Sequence, residues 1–145
     1  SVTSATGNWS CEVDASILRE PVECLTDPDL LRHAISNLIK NAIEAMKGGG
    51  RLHVAVQRNG VSGTIRVGDT GPGIPTEVRP RIFDPFFTTK PEGTGLGLSI
   101  ASQNIRGLGG RLELENDREF KTMFKLTLPL HLHEEARETA RVRQN

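Results

Sequence analysis

The chain has no tyrosine and a single tryptophan, Trp9. Few flat side chains remain on which unpaired bases could stack, which argues against single-stranded nucleic acid as a ligand. It also lacks an excess of charge of either sign: 18 Lys plus Arg balance 18 Asp plus Glu. That removes the electrostatic footprint of a protein that grips a nucleic-acid backbone or an anionic bilayer. No apolar run nears the roughly 20 residues of a spanning helix, and no secretory leader pattern is visible. Cysteine is scarce. Cys11 and Cys24 have no metal-ligand spacing and are expected as free thiols, with a disulfide as the alternative.

Several nucleotide-binding signatures are missing too. There is no G-x-x-x-x-G-K-[ST], so the chain is not a P-loop protein, and no H-R-D or D-F-G, so it is not a eukaryotic-type protein kinase. Gly93, Gly95 and Gly97 form G-x-G-x-G rather than G-x-G-x-x-G, and no strand directly precedes them, which weakens a Rossmann reading.

What is present is ordered. The 145 residues suit one domain with a sizeable core. Residues 1–8 are small and polar and expected to be loose; without a starting Met or a helix-start signal, the chain reads as a piece of a longer protein. Residues 9–13 and 22–25 are short strand candidates around a turn at 19–21. Thr26-Asp27-Pro28-Asp29 signals a helix start. A helix over about 29–47 follows, with Leu30, Leu31, Ala34, Ile35, Leu38, Ile39, Ala42, Ile43 and Met46 on one face. Gly48-Gly49-Gly50 stops it. Alternation at Leu52, Val54, Val56 and at Ile65, Val67 gives two strands joined near Asn59-Gly60. A short helix is expected over 77–83, limited or kinked by Pro80. A second strong helix is expected over about 97–108, with Leu98, Ile100, Ala101, Ile105 and Leu108 apolar. Leu112, Leu114, then Phe124, Leu126 and Leu128 form a closing hairpin, and Pro129 marks the end of the core. Residues 131–145 are charged and polar, a surface helix or disordered tail. The order implies an α/β two-layer sandwich: a mixed, mostly antiparallel sheet with helices on one face.

Three constellations carry chemistry. On the first helix, His33, Asn37, Asn41 and Glu44 share a stripe at about 100° per residue, beside the apolar face and away from Arg32, Ser36, Lys40 and Lys47. Amides at such a border can meet a ligand or a hydrated Mg²⁺, though by themselves they also suit plain surface positions. Asp69 ends a strand and enters Gly71-Pro72-Gly73. Its carboxylate could accept a hydrogen bond from an exocyclic amine such as that of adenine; an ordinary Asp-Gly turn is the alternative. Residues 86–98 run from two aromatics through Lys90 into the three glycines and a helix start. Glycine lets the backbone come near a ligand, and a helix N-terminus attracts phosphate, so this segment reads as a lid over a nucleotide.

Taken in order, four segments resemble one family. Asn37-Leu38-Ile39-Lys40-Asn41-Ala42-Ile43-Glu44-Ala45 looks like its N box, Asp69-Thr70-Gly71-Pro72-Gly73-Ile74 like G1, Phe83-Asp84-Pro85-Phe86-Phe87 like the F box, and Gly93-Thr94-Gly95-Leu96-Gly97-Leu98 like G2. The family is the ATP-binding catalytic domain of bacterial two-component sensor histidine kinases, in the superfamily of gyrase, the heat-shock chaperones and MutL. The resemblance covers about 26–130 and implies the Bergerat-type ATP-binding fold. It implies a domain over 1–130 and a tail over 131–145. By the same resemblance, Asn41 would hold Mg²⁺ on the ATP phosphates, with Asn37 and Ala45 lining the site. Asp69 would bind the adenine amine, helped by Thr122, with Gly71, Gly73 and Ile74 along the base. Thr88, Thr89 and Lys90 would lie near the phosphates, and Gly93, Thr94, Gly95, Leu96, Gly97 and Leu98 would hold them. Lys90 and Asn37 would act at the γ-phosphate.

Departures from the pattern are specific. Glu44 and Met46 stand late in the N box, where many members have Lys or Tyr. Lys121 replaces the usual Gly before the Thr122 position. Asn37 stands where the ATPase branch places a Glu that activates water, and Asn is a poor general base. The resemblance therefore implies γ-phosphate transfer to a histidine rather than to water. That acceptor is expected on a separate dimerisation domain, with a response regulator downstream and a cytoplasmic location for this segment. Of the four histidines only His133 precedes an acid, Glu134, and its flanks do not match an acceptor helix. A gyrase- or chaperone-type clamp, a serine-kinase switch protein and a purely regulatory nucleotide module are the competing readings.

Overall fold

A computed structural model of the chain describes residues 2–3, 10–16, 26–88 and 95–130, the first two stretches as backbone. The expected strand over 22–25, the turn at 19–21, Trp9 and the tail 131–145 lie outside the described residues. Among the described residues six strands form one sheet in the order β1-β2-β3-β4-β6-β5. Strands β1 (Val2–Thr3) and β2 (Ser10–Ser16) stand at one edge; β3 (Gly49–Asn59), β4 (Ser62–Asp69), β5 (Arg111–Glu115) and β6 (Thr122–Pro129) make the body. All pairs are antiparallel except β2 with β3. The mixed, mostly antiparallel sheet read from the sequence is what forms.

Helix α1 (Pro28–Ala45) begins as its start signal predicts. The Asp27 side chain accepts the backbone N–H groups of Asp29 and Leu30 at 3.0 and 3.3 Å, and Pro28 takes the first turn, where its missing N–H costs nothing. Ala34, Leu38, Ala42 and Met46 are buried at four-residue spacing, while Arg32, Ser36, Lys40 and Lys47 are exposed. Gly48 takes a φ of 91° and turns the chain, but Gly49 and Gly50 already belong to β3. The glycine run thus both ends the helix and starts the strand.

Helix α2 (Gly97–Gly107) packs on α1 and the same sheet face. Its buried face differs in part from the apolar pattern: Ser99, Ala101, Ser102 and Ile105 are buried, while Leu98 and Ile100 are partly covered. Small residues face the interior because the two helices lie close, and Ser99 satisfies its hydroxyl on the Leu96 carbonyl at 3.0 Å. Leu38, Val67, Ile105, Phe124 and Leu126 fill the space between helices and sheet. Deleting the buried part of Leu38 would cost about 2–5 kcal/mol.

The helix expected over 77–83 is one 3₁₀ turn at Arg79–Arg81. Its bonds run three residues apart, from Arg81 N to Val78 O at 2.9 Å and from Asp84 N to Arg81 O at 3.0 Å. Pro80 has no N–H and blocks the four-residue ladder, so the turn tightens instead of extending. The core reaches one residue past Pro129: Leu130 is buried, and its N–H meets the Val61 carbonyl at 2.7 Å.

Candidate functional site

The site lies where the sheet ends beside the C-terminal half of α1. Asp69 closes β4 and faces Leu52 on one side and Thr122 on the other. These three share the helix-covered face of the sheet with Val67 and Phe124, by the two-residue alternation of strands. Asp69 is therefore a carboxylate at the floor of an apolar layer, 1% exposed, with Thr122 at 3%. Its Oδ1 accepts the Gly71 N–H at 2.9 Å. A buried carboxylate is costly unless donors surround it, and the Gly71 N–H is one of them.

The loop after Asp69 presses onto α1. A Cβ on Gly71 would sit 3.0 Å from the Ala45 carbonyl oxygen, so only glycine lets the loop reach the helix end. Gly73 has a φ of 82°, and Ile74 packs on the core. Pro72, Gly73, Ile74 and Pro75 border an open cleft of about 550 Å³, with Arg79 and Lys121 on its other side. Arg79 is held by the Asn116 side chain at 2.7 Å and the Ile74 carbonyl at 3.3 Å.

Asn37 and Asn41 are both half-buried, one turn apart, at the border of the apolar face as the helical wheel predicts. The Asn37 Nδ2 is buried and has no hydrogen-bond partner. Buried donors are nearly always paired. A phosphate oxygen, or a water on a hydrated cation, would supply the acceptor this amide lacks, so the residues present fit a Mg²⁺–phosphate group. Among the described residues no cluster of three or more His, Cys, Asp or Glu exists to hold a metal by itself. A cation here would depend on amide oxygen, ligand oxygen and water, the set Mg²⁺ accepts.

Phe86 and Gly95, on either side of residues 89–94, are joined. The Phe86 N–H donates to the Gly95 carbonyl at 2.9 Å, and Gly95 has a φ of 73°. A Cβ on Gly95 would lie 2.3 Å from the Phe86 carbonyl carbon. Phe86 itself has a φ of 67°, the one left-handed non-glycine among the described residues, and its ring is exposed. Leu96 leads into α2 without a side-chain cap, and Gly97 has open space around it. The first turn of α2 thus offers backbone N–H groups in the way that suits phosphate. Leu98 packs on the core beneath. Thr88 is exposed and is the last described position before Gly95, whereas Thr89, Lys90, Gly93 and Thr94 lie outside the described residues.

The connection between β5 and β6 carries Lys121 to Thr122 and is braced from the other sheet face. Asp117 accepts the N–H groups of Glu119 and Phe120 at 2.8 and 2.9 Å. Those bonds, Phe120's first, hold its carboxyl below the ordinary aspartate range. Phe120 is buried, stacked on His53 at 4.9 Å, with the Arg51 guanidinium 5.3 Å above its ring. Arg51 also pairs with Glu119. Deeper in the sheet, Arg66 bonds Glu115 at 2.8 Å and lowers that carboxyl in the same way.

Sequence reasoning singled out neither Thr70 nor Phe120. Thr70 was visible only as a hydroxyl residue inside a turn, and Phe120 only as a lone aromatic before the last strand.

Comparison with known proteins shows the family. Residues 26–132 match the family described as histidine kinase-, DNA gyrase B-, and HSP90-like ATPase. Signal transduction histidine-protein kinase AfsQ2 of Streptomyces coelicolor is 40% identical over 126 residues, covering 83% of this chain and 23% of that protein. Sporulation kinase A of Bacillus subtilis is 39% identical over 103 residues, covering 71% and 17%. The chain spans about a fifth of the length of these curated relatives. The solved catalytic domain of histidine kinase ThkA superposes with a TM-score of 0.76 at 32% identity, covering 83% of this chain and 79% of that one. The chain belongs to the histidine kinase-, DNA gyrase B- and HSP90-like ATPase family, as a catalytic ATP-binding domain of the sensor histidine kinase type.

Proposed function

We propose that this domain binds ATP with Mg²⁺ and passes the γ-phosphoryl group to a histidine on a separate dimerisation domain of its parent protein. Asp69 accepts the adenine amine, Thr122 supports it from β6, and Gly71, Gly73 and Ile74 flank the ring. Asn41 offers amide oxygen to Mg²⁺, Asn37 and Ala45 line the phosphate side, and the α2 start with Gly93, Thr94, Gly95, Leu96, Gly97 and Leu98 holds the phosphates. Thr88, Thr89 and Lys90 belong to the lid; Lys90 is a flexible cation able to follow charge on the γ-phosphate. When bound, Mg²⁺ would neutralise phosphate charge.

The observation that carries this reading is the buried Asn37 amide without a partner, on the same helix face as Asn41. An amide there can orient phosphate but cannot take a proton from water, which favours transfer over hydrolysis. In the transfer step the bond from the γ-phosphorus to the ADP oxygen breaks and a bond to imidazole nitrogen forms. The acceptor's own neighbouring acid takes the imidazole proton. The phosphohistidine would then serve a response regulator in two-component signalling. The parent would work on the cytoplasmic side; this segment contacts neither nucleic acid nor lipid.

Labelled ATP and the parent's dimerisation domain test the reading. An acid-labile phosphohistidine on that domain is expected, with little phosphate release by the isolated chain. Rapid hydrolysis with no transfer would favour a clamp-type ATPase, and ATP binding with neither reaction a regulatory module.

A further inference from the structure

The end of β4 is held by a side chain outside the base slot. The Thr70 Oγ1 accepts the Arg51 backbone N–H at 2.9 Å and donates toward Met46 Sδ at 3.7 Å. Register explains the first contact. Leu52 with Asp69 is the last pair of the β3–β4 ladder. One step further the chain leaves the sheet for the turn at 71–75, so Arg51 meets a hydroxyl where the ladder would have set a carbonyl. The second contact reaches α1, because Met46 is the buried C-cap of that helix.

Space at this junction is reserved for that hydroxyl. A Cβ on Gly50 would fall 2.6 Å from Met46 Sδ and 2.7 Å from Thr70 Oγ1. On the other flank of the turn, a Cβ on Gly71 would fall 2.8 Å from Asp69 Oδ1 and 3.0 Å from the Ala45 carbonyl oxygen. The Asp69 carboxylate therefore sits between two anchored neighbours. Gly71 binds the carboxylate itself, and Thr70 ties the backbone to β3 and α1. Arg51 extends the tie, since its side chain reaches Glu119 and the Phe120 ring in the connection that delivers Thr122.

We propose that Thr70 is a positioning residue that sets base specificity: its hydroxyl, held by Arg51 and Met46, fixes the Asp69 carboxylate at the angle that distinguishes an aminopurine from a purine without the amine. This rests on the reading of Asp69 as the adenine partner. Hydrogen bonds weaken steeply with misalignment, so a loosened carboxylate loses discrimination before it loses charge. Thr70 is exposed, so removing its hydroxyl leaves the core intact.

Calorimetry of the full chain with ATP and with purine riboside triphosphate, both with Mg²⁺, tests the proposal on four proteins. The wild type is expected to prefer ATP by about tenfold or more, the worth of a bond to a charged acceptor. Asp69→Asn should level the two ligands. Thr70→Val should cut the preference at least about threefold, and Thr70→Ser, which keeps both contacts, should restore it. A Thr70→Val protein with the full wild-type preference, beside an Asp69→Asn protein that has lost it, overturns the positioning role, even if its melting temperature falls. If the wild type shows no preference, or Asp69→Asn keeps it, the Asp69 reading fails and the proposal fails with it.

Discussion

Asp69 and Thr122 face each other across β4 and β6, although 53 positions of sequence separate them (122 minus 69). Both are buried at the end of an otherwise apolar face. A carboxylate and a hydroxyl set opposite each other there make a small polar floor.

Asp69→Ala is accordingly expected to weaken ATP binding at least about tenfold, since a hydrogen bond to a charged group is worth roughly 1.5–3 kcal/mol. Calorimetry on the folded variant measures this. Unchanged affinity would remove Asp69 from the base slot.

Asn41→Ala should separate the metal from the nucleotide. The wild type is expected to bind ATP more tightly with Mg²⁺ than with a chelator, and the variant to bind equally in both. A variant that still gains affinity from Mg²⁺ would contradict the role of Asn41.

The glycines of the lid's second half should respond differently to one added methyl group. Gly95→Ala meets the Phe86 backbone at 2.3 Å and takes a left-handed φ that costs an L-residue about 1–2 kcal/mol. A lower melting temperature is expected. Gly97→Ala has open space, so its stability should hold or rise while nucleotide affinity falls, because the methyl group crowds the phosphate approach. Equal melting temperatures for Gly95→Ala and the wild type would refute the clasp between 86 and 95.

Acid should loosen the β5–β6 connection. Bonds from Phe120 and Glu119 hold the Asp117 carboxyl below its ordinary range. A depressed folded-state value stabilises the protein fully above the unfolded value of about 4 and less as pH falls through the folded one. The melting-temperature gap between wild type and Asp117→Ala should be steady near neutral pH and close below about pH 4. A gap that widens in acid would contradict the sign.

The sequence made legible those parts whose physics is local. Four-residue spacing from Ala34 to Met46 displays the buried face of α1, and Asp27-Pro28 displays its start. Asn37, Asn41 and the Asp69 turn stand where their patterns put them. What was hidden depends on partners distant in sequence. Ser99 and Ser102 are buried because α1 lies against them, which polarity alone does not reveal. Pro80 announced a limit on the short helix, but its reduction to one 3₁₀ turn came from bonding geometry. The left-handed Phe86 has no signature at all, since aromatic residues rarely adopt that conformation.

Strand order has a bearing on synthesis. The last of the described strands, β6, lies between β4 and β5 rather than at an edge. A growing polypeptide that has emerged only as far as residue 121 has a gap in its sheet and lacks Thr122 opposite Asp69. Until the following residues leave the ribosome β4 has only β3 beside it and β5 has no sheet partner, and pairing β6 with the distant β4 is slow. Nucleotide capture would then report that the polypeptide has been made through β6, and ATP would stabilise the fold from that point on.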